Sequence, residues 1–375
     1  MKYFFLILLL PDVIFAQEVN EVTFRVKAGN IPDSTGIFIC GNIPELGDWQ
    51  PDKIPLEKKS GNIWERSFTL PAGKNIEYKI TRGSWNTEAV KKDGEIPGNS
   101  KLVVKNDTTI EIEIEHWKDQ FHYTLKGQVT GRVDYYRNIK GEGILPRDLL
   151  VWLPPGYETD TTSHYPVLYM QDAQNLFDPY TSSFGVDWQL DETADSLIRN
   201  NIIKPVIIAG LTCTSWRGSE YSDNDTGFAY MKFLVSKVKP FIDSTYRTLK
   251  EPENTVIGGA SLGALISFML AWNYPDIFSM VICMSPALKI DHIDYVKNVN
   301  DYKGPIKNLK FYFDAGTDSL DSRLKIGTLK MIKTLESKGY KMGRDILWFE
   351  DPAGYHSEAS WAERVLRPLH FFFGK

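Results

Sequence analysis

Cysteine is scarce. The 375 residues hold three, Cys40, Cys213 and Cys283, each in or beside an apolar run. Such scatter excludes a disulfide framework and a thiolate zinc site, and predicts buried free thiols. Histidine is nearly as rare, with six. No two stand at ligand spacing on a helix, so neither a metal nor another cofactor is expected. No basic block occurs among 43 basic and 48 acidic side chains, and the net charge is −5. That balance excludes nucleic acid as a partner. The apolar run Phe4 to Leu10 is interrupted by Pro11 and Asp12 and is too short to span a bilayer. Internal repeats and low-complexity tracts are absent as well.

What is present is a hydrophobic content of 42%, enough for a sizeable core, in a chain long enough for two domains. Ten tryptophans and eighteen tyrosines suit sugar-stacking surfaces as well as cores. Lys2, the apolar stretch after it and Ile14-Phe15-Ala16 before Gln17 read as a secretory signal over residues 1–16. A secreted or periplasmic protein is therefore expected. No cysteine sits near the cleavage point to carry a lipid anchor.

Residues 17–119 read as all-β. Val22 to Val26, Ile37 to Cys40 and Ile110 to Glu115 alternate, and clusters of Gly, Pro and Asn separate the runs. The spacing predicts a β-sandwich. Gly41-Asn42-Ile43-Pro44-Glu45-Leu46-Gly47-Asp48-Trp49 then resembles the signature of starch-binding domains, the family 20 carbohydrate-binding modules. Trp64, Leu70 to Gly73, Ile76 to Lys79 and the closing His116-Trp117 continue the likeness in order. The resemblance implies a module that stacks α-glucan rings on indole faces. It puts Trp49 and Lys79 in a first sugar site and Trp64 in a second. The family's other first-site tryptophan is missing; Lys91 falls near its place and Trp85 comes earlier.

Residues 120–375 change character. Entry strands are expected over 127–133 and 147–153, with a turn at Leu153-Pro154-Pro155-Gly156-Tyr157. Apolar strands follow at 167–170, 206–210, 255–259, 280–284, 311–315 and 346–350. Helical spacing lies between them, as in Met231, Leu234, Val238 and Phe241, or Leu190, Ala194, Leu197 and Ile198. This alternation predicts an α/β-hydrolase type of architecture, a mostly parallel sheet with helices on both faces.

The chemistry centres on Gly259-Ala260-Ser261-Leu262-Gly263, between a predicted strand and a helix that must stop before Pro275. A Gly-x-Ser-x-Gly pentapeptide there puts Ser261 on a sharp turn, and the flanking glycines keep that turn uncrowded. The N–H of Leu262 can then face an oxyanion. A second donor is expected from Ala173 or Gln174, in the loop after the first core strand, with Asp172 and Asn175 bracing that loop. A serine nucleophile needs a base and an orienting carboxylate at strand carboxyl ends. His356 follows the last strand. Asp318 follows the one before it, with Asp314 and Asp321 close by and one of the acids free to cap a helix near Ser322. Arg217, Glu220 and Tyr221 read either as pocket lining or as a surface ion pair. Ser285 lacks flanking glycines and reads as structural.

This half resembles the putative esterase family, which includes the esterase D, feruloyl esterase and enterochelin esterase groups. The likeness rests on Tyr165 to Tyr169 leading into Asp172-Ala173-Gln174-Asn175, on the serine pentapeptide, and on Tyr274 to Phe278. Ser285-Pro286-Ala287, Gly316-Thr317-Asp318 and His356-Ser357-Glu358 before Trp361 add to it. It implies hydrolysis of a carboxylic ester through an acyl-serine. The expected substrate is a carbohydrate-linked ester of acetyl or feruloyl type, or a small ester, with polysaccharide or oligosaccharide as the module's partner. A siderophore esterase, and a glycan-binding protein with an inert hydrolase half, are the alternatives.

Overall fold

The computed structural model describes residues 18–29, 31, 35–92, 97–120, 128–317 and 319–375. The signal segment expected over residues 1–16, and Asp318, lie outside the described residues. The chain divides into two compact units between residues 122 and 123.

The first unit is built from strands β1 (Val19–Ala28), β2 (Phe38–Gly41), β3 (Ile54–Pro55), β4 (Glu57–Lys58), β5 (Ile63–Pro71), β6 (Asn75–Thr81), β7 (Ala89–Val90), β8 (Ser100–Val103), β9 (Thr108–Ile114) and β10 (His116–Trp117). They form two four-stranded sheets, β4-β5-β1-β9 and β3-β2-β6-β8, and a short β10-β7 pair. Strand β1 shows why. Val22, Phe24, Val26 and Ala28 are fully buried, as a period of two requires. The intervening Arg25 points outward and reaches Glu111 on β9 at 2.8 Å. Between the sheets, Phe24 packs edge-on against Tyr78, with ring centroids 4.9 Å apart.

The second unit carries strands β11 (Arg132–Ile139), β12 (Arg147–Leu153), β13 (Val167–Gln171), β14 (Ile207–Leu211), β15 (Thr255–Ala260), β16 (Met280–Met284), the hairpin β17 (Lys289–Ile290) and β18 (Ile293–Asp294), β19 (Lys310–Gly316) and β20 (Ile346–Asp351). Its helices are α1 (Leu190–Arg199), α2 (Arg217–Glu220), α3 (Asp225–Phe233), α4 (Lys239–Thr245), α5 (Leu262–Asn273), α6 (Tyr295–Asp301), α7 (Ser319–Ser337), α8 (Glu358–Arg364) and α9 (Leu366–Phe373). The eight-stranded sheet has the order β11-β12-β14-β13-β15-β16-β19-β20. From β14 to β20 neighbouring strands run parallel.

Alternate residues of the strands feed two separate cores. Val151, Leu153 and Ile257 join Met231, Phe268 and Leu335 from α3, α5 and α7. Leu150, Trp152 and Val256 join Leu190, Trp361 and Phe373 from α1, α8 and α9. Helix α5 is apolar all round and buried from Gly263 to Trp272, where each large side chain contributes about 1.5–3 kcal/mol. It ends at Asn273, because Pro275 disfavours a helical Tyr274.

Two expectations shift. The first entry strand spans 132–139 rather than 127–133, with an irregularity between Tyr136 and Ile139 where Asn138 has φ 57°. The helix expected around Met231 to Phe241 is interrupted: a π-type turn over Leu234–Val238 links α3 to α4, with Pro240 in the first turn of α4. Among the described residues no helix is long and apolar enough to cross a membrane.

Candidate active site

Ser261 links β15 to α5 with φ 58° and ψ −123°, a conformation rarely adopted by residues other than glycine. The strain is held by neighbours. Its N–H donates to the Met284 carbonyl at 3.0 Å, and its carbonyl accepts from Ala287 N at 3.1 Å. The flanking glycines are sterically required. A Cβ on Gly259 would lie 2.8 Å from the Gly263 carbonyl carbon, and one on Gly263 would lie 2.9 Å from Asp172 Oδ2. The first N–H groups of α5, Leu262 foremost, have no partner within the helix and form its positive end.

The base sits beyond β20. His356 Nδ1 donates to Asp321 Oδ1 at 2.6 Å, which leaves Nε2 as the basic nitrogen. The imidazole packs edge-on against Trp361, with centroids 4.9 Å apart. Asp321 is fully buried in the first turn of α7. Its other oxygen accepts from Ser285 Oγ and from Gly316 N, both at 2.7 Å. Burial alone would raise this carboxyl; the bonds from His356, Ser285 and Gly316 outweigh it and hold it below the usual carboxylate range. The sequence expectation is Asp318, with Asp314 and Asp321 as the alternatives. Asp318 itself lies outside the described residues, and the carboxylate that meets His356 belongs to Asp321. The reason is directional: the first turn of α7 brings Asp321 back over the end of β19. Asp314 is a different kind of acid. It lies beneath, accepts from Ser285 N at 3.1 Å and Tyr312 Oη at 3.0 Å, and is pushed up to about 6 by burial.

Met284 and Ser285 join the two halves. The Met284 carbonyl takes the Ser261 N–H, and the next hydroxyl bonds the acid behind His356. The sequence marks this seam only by a Ser-Pro pair directly after a core strand, with Ser285 reading as structural.

The loop after β13 is braced on every side. Asp172 has φ 58° and opens a tight turn over Ala173–Asn175. Arg217 grips it with two bonds, Nε to Oδ1 and Nη2 to Oδ2, both 2.8 Å. Asn175 Nδ2 donates to Glu358 Oε1 at 3.1 Å, tying the loop to α8 just after His356. Cys213 N donates to Gln174 Oε1 at 3.1 Å. A Cβ on Gly210 would come within 2.7 Å of Ala173 Cβ, so β14 lies tight beneath the turn. The N–H groups of Ala173 and Gln174 open this turn and lack acceptors inside it. Of the two readings of Arg217, the ion pair is present, made with Asp172 of this loop by a side chain that is 30% exposed. Glu220 and Tyr221 are fully buried, and Glu220 pairs with the buried Arg147.

In the first unit the expected sugar contacts separate. Trp64 is 2% exposed, a core side chain with the Lys58 ammonium over its ring, and offers no face to a sugar. Lys79 is 6% exposed and bonds Glu88 Oε2 at 2.7 Å. Both expectations are corrected, for different reasons: the alternation of β5 turns Trp64 into the core, whereas Lys79 lies on the face of β6 opposite Ile76, Tyr78 and Ile80 and is covered through its ion pair with the buried Glu88. Trp49 and Trp85 remain half-exposed. Trp49 has φ 61°, and its N–H is fixed to the Gly41 carbonyl at 2.8 Å.

One set of carboxylates among the described residues, Asp187, Asp191 and Glu192, is close enough to surround a cation. Burial pushes Asp191 up to about 8 and Asp187 up to about 6, and Asp191 Oδ2 already accepts from Thr130 N.

Residues 146–367 match the model of the Putative esterase family, and residues 19–112 match that of the starch binding domain. Protein YbbA of Bacillus subtilis (strain 168) is 22% identical over 247 residues, 61% of this chain and 93% of that protein. An alpha-amylase of Niallia circulans is 30% identical over 105 residues, 28% of this chain and 8% of that enzyme. Among solved structures, enterochelin esterase from Shigella flexneri aligns with a TM-score of 0.55 at 13% identity, covering 95% of this chain and 93% of its own. A ferulic acid esterase aligns at 0.54 and 18% identity, covering 64% of this chain and 98% of its own. At such identities the structural likeness is one of fold.

Proposed function

The chain belongs to the Putative esterase family, whose members are carboxylic ester hydrolases, and on that premise we propose that it cleaves its substrate through an acyl-enzyme on Ser261. Ser261 Oγ attacks the ester carbonyl while His356 Nε2 takes its proton. Asp321 keeps the other ring proton on Nδ1 and stabilises the imidazolium. The carbonyl oxygen, now an anion, faces the N–H of Leu262 and those of Ala173 and Gln174. Removal of one such donor costs about 10²–10³ in kcat. His356 returns the proton to the leaving alcohol. Water, deprotonated by the same ring, then releases the acid and restores the serine.

The observation that carries this reading is that a strained serine and the carboxylate behind an imidazole are each bonded to one of two consecutive residues, Met284 and Ser285. Ser261→Ala should abolish p-nitrophenyl acetate turnover and fluorophosphonate labelling while the fold melts as wild type. Turnover close to wild type would remove the serine from the mechanism.

The substrate we favour is an ester on a carbohydrate, of acetyl or feruloyl type. The starch-binding module would hold the enzyme near polysaccharide and raise its local concentration there. A secreted or periplasmic setting suits that substrate. The fold likeness to an enterochelin esterase supplies the rival, a siderophore lactone. A panel of acetylated and feruloylated sugars beside a triscatecholate lactone separates the two by which one turns over.

A further inference from the structure

Ser285 is a non-glycine residue at φ 42°, fully buried, one position beyond the end of β16. Its hydroxyl has three neighbours. Trp361 Nε1 and Arg364 Nη2 each lie 3.1 Å away, and Asp321 Oδ2 lies 2.7 Å away. The first two can only donate. The single hydroxyl proton therefore has one acceptor, the Asp321 carboxylate, and both lone pairs are occupied. A hydroxyl so saturated cannot itself act as a nucleophile. It can fix the rotation of the carboxylate, because a bond at Oδ2 leaves Oδ1 aimed at His356 Nδ1.

We infer that Ser285 is a positioning residue of the esterase: it locks the Asp321 carboxylate in the rotamer that orients His356, and Trp361 and Arg364 lock Ser285. The inference rests on the acyl-serine reading given above. Strain at Ser285 fits such a role, since a backbone held in a costly conformation needs surroundings that over-determine it. The same residue donates its N–H to Asp314 Oδ1, so it is pinned from below as well. The groups that face Asp321 are His356 from the loop after β20, Ser285 from β16, the Gly316 N–H and the Asp314 carboxylate from β19, and the Arg364 guanidinium from α8, whose Nη1 lies 3.7 Å from Oδ2.

The test uses the full chain with Ser285→Ala, and Ser285→Gly as the second variant, because glycine accepts the positive φ without strain. Loss of a supporting partner of this kind should lower kcat about ten- to hundredfold with KM little changed. The acid limb of kcat/KM should move to lower pH, because a carboxylate free to rotate pairs less firmly with the imidazole. The far-downfield proton resonance of His356 Nδ1–H should broaden or vanish. Wild-type kcat, acid limb and resonance in either folded variant overturn the inference. A limb displaced to higher pH overturns it too, since that would mean the hydroxyl only withdraws charge from the carboxylate. Ser261→Ala is assayed alongside. If it is dead while both Ser285 variants match wild type, only this inference fails; if it stays active, the acyl-serine reading fails first.

Discussion

Three aspartates lie within eight positions between the end of β19 and the start of α7, and the two that are described do different things. Asp314 is buried under Ser285, and Asp321 stands behind His356. Spacing along the chain placed an acid in this stretch correctly, but it carries no information on which way a side chain turns. An acid in the first turn of a helix looks like a favourable helix-end charge whether or not it also meets an imidazole. Asp321→Asn should keep the shape and lose the charge and the correct tautomer, with kcat falling about 10³–10⁴-fold. The same exchange at Asp318 should leave kcat near wild type. Steady-state kinetics on p-nitrophenyl acetate with both variants decides between the two acids. Ser261 and His356 are legible for a different reason: each has a local signature, a glycine-flanked corner and a histidine in the glycine-containing loop after the last strand.

Turns and loops set this geometry, and each is kept tight by a glycine or a remote partner. Gly316 closes β19 beneath the His356 loop, where a Cβ would fall on the Gly354 carbonyl and lie 2.8 Å from Asp321 Oδ2. Gly316→Ala should therefore displace both the acid and the loop, cutting kcat and lowering the melting midpoint together. A variant with wild-type kcat and midpoint would show that the loop yields more easily than the packing implies. The parallel strands of the second unit are readable because each is a continuous apolar run, and α5 because Pro275 ends it. The π-type turn at Leu234–Val238 was not, since the buried positions Met231, Leu234 and Val238 keep an ordinary helical spacing through it. Asp172 and Asn175 are readable as braces of the loop after β13, but their partners Arg217 and Glu358 are not. Asn175 and Glu358 meet across 183 positions of sequence, and no local pattern announces such a pair.

The two units were distinguishable from composition alone, all-β before the junction and alternating strands and helices after it. Within the module, the sequence motif gave positions but not burial. Trp49 and Trp64 both fit the starch-binding pattern, yet one is half-exposed and the other packs in the core. Trp49→Ala should weaken retention of the protein in amylose-containing gels with little change in stability. Trp64→Ala should instead cost about 3–5 kcal/mol of stability. Equal effects on retention with no loss of stability would contradict this division. On the proposed reading, binding of glycan and cleavage of ester are separable properties of one chain, and the second is the central one. Its most direct measurement is the mass of the protein quenched during turnover of p-nitrophenyl acetate, followed by peptide mapping. The account predicts one added acetyl group on the peptide containing Ser261, absent from Ser261→Ala. An acetyl group on another residue, or turnover by Ser261→Ala, would contradict it.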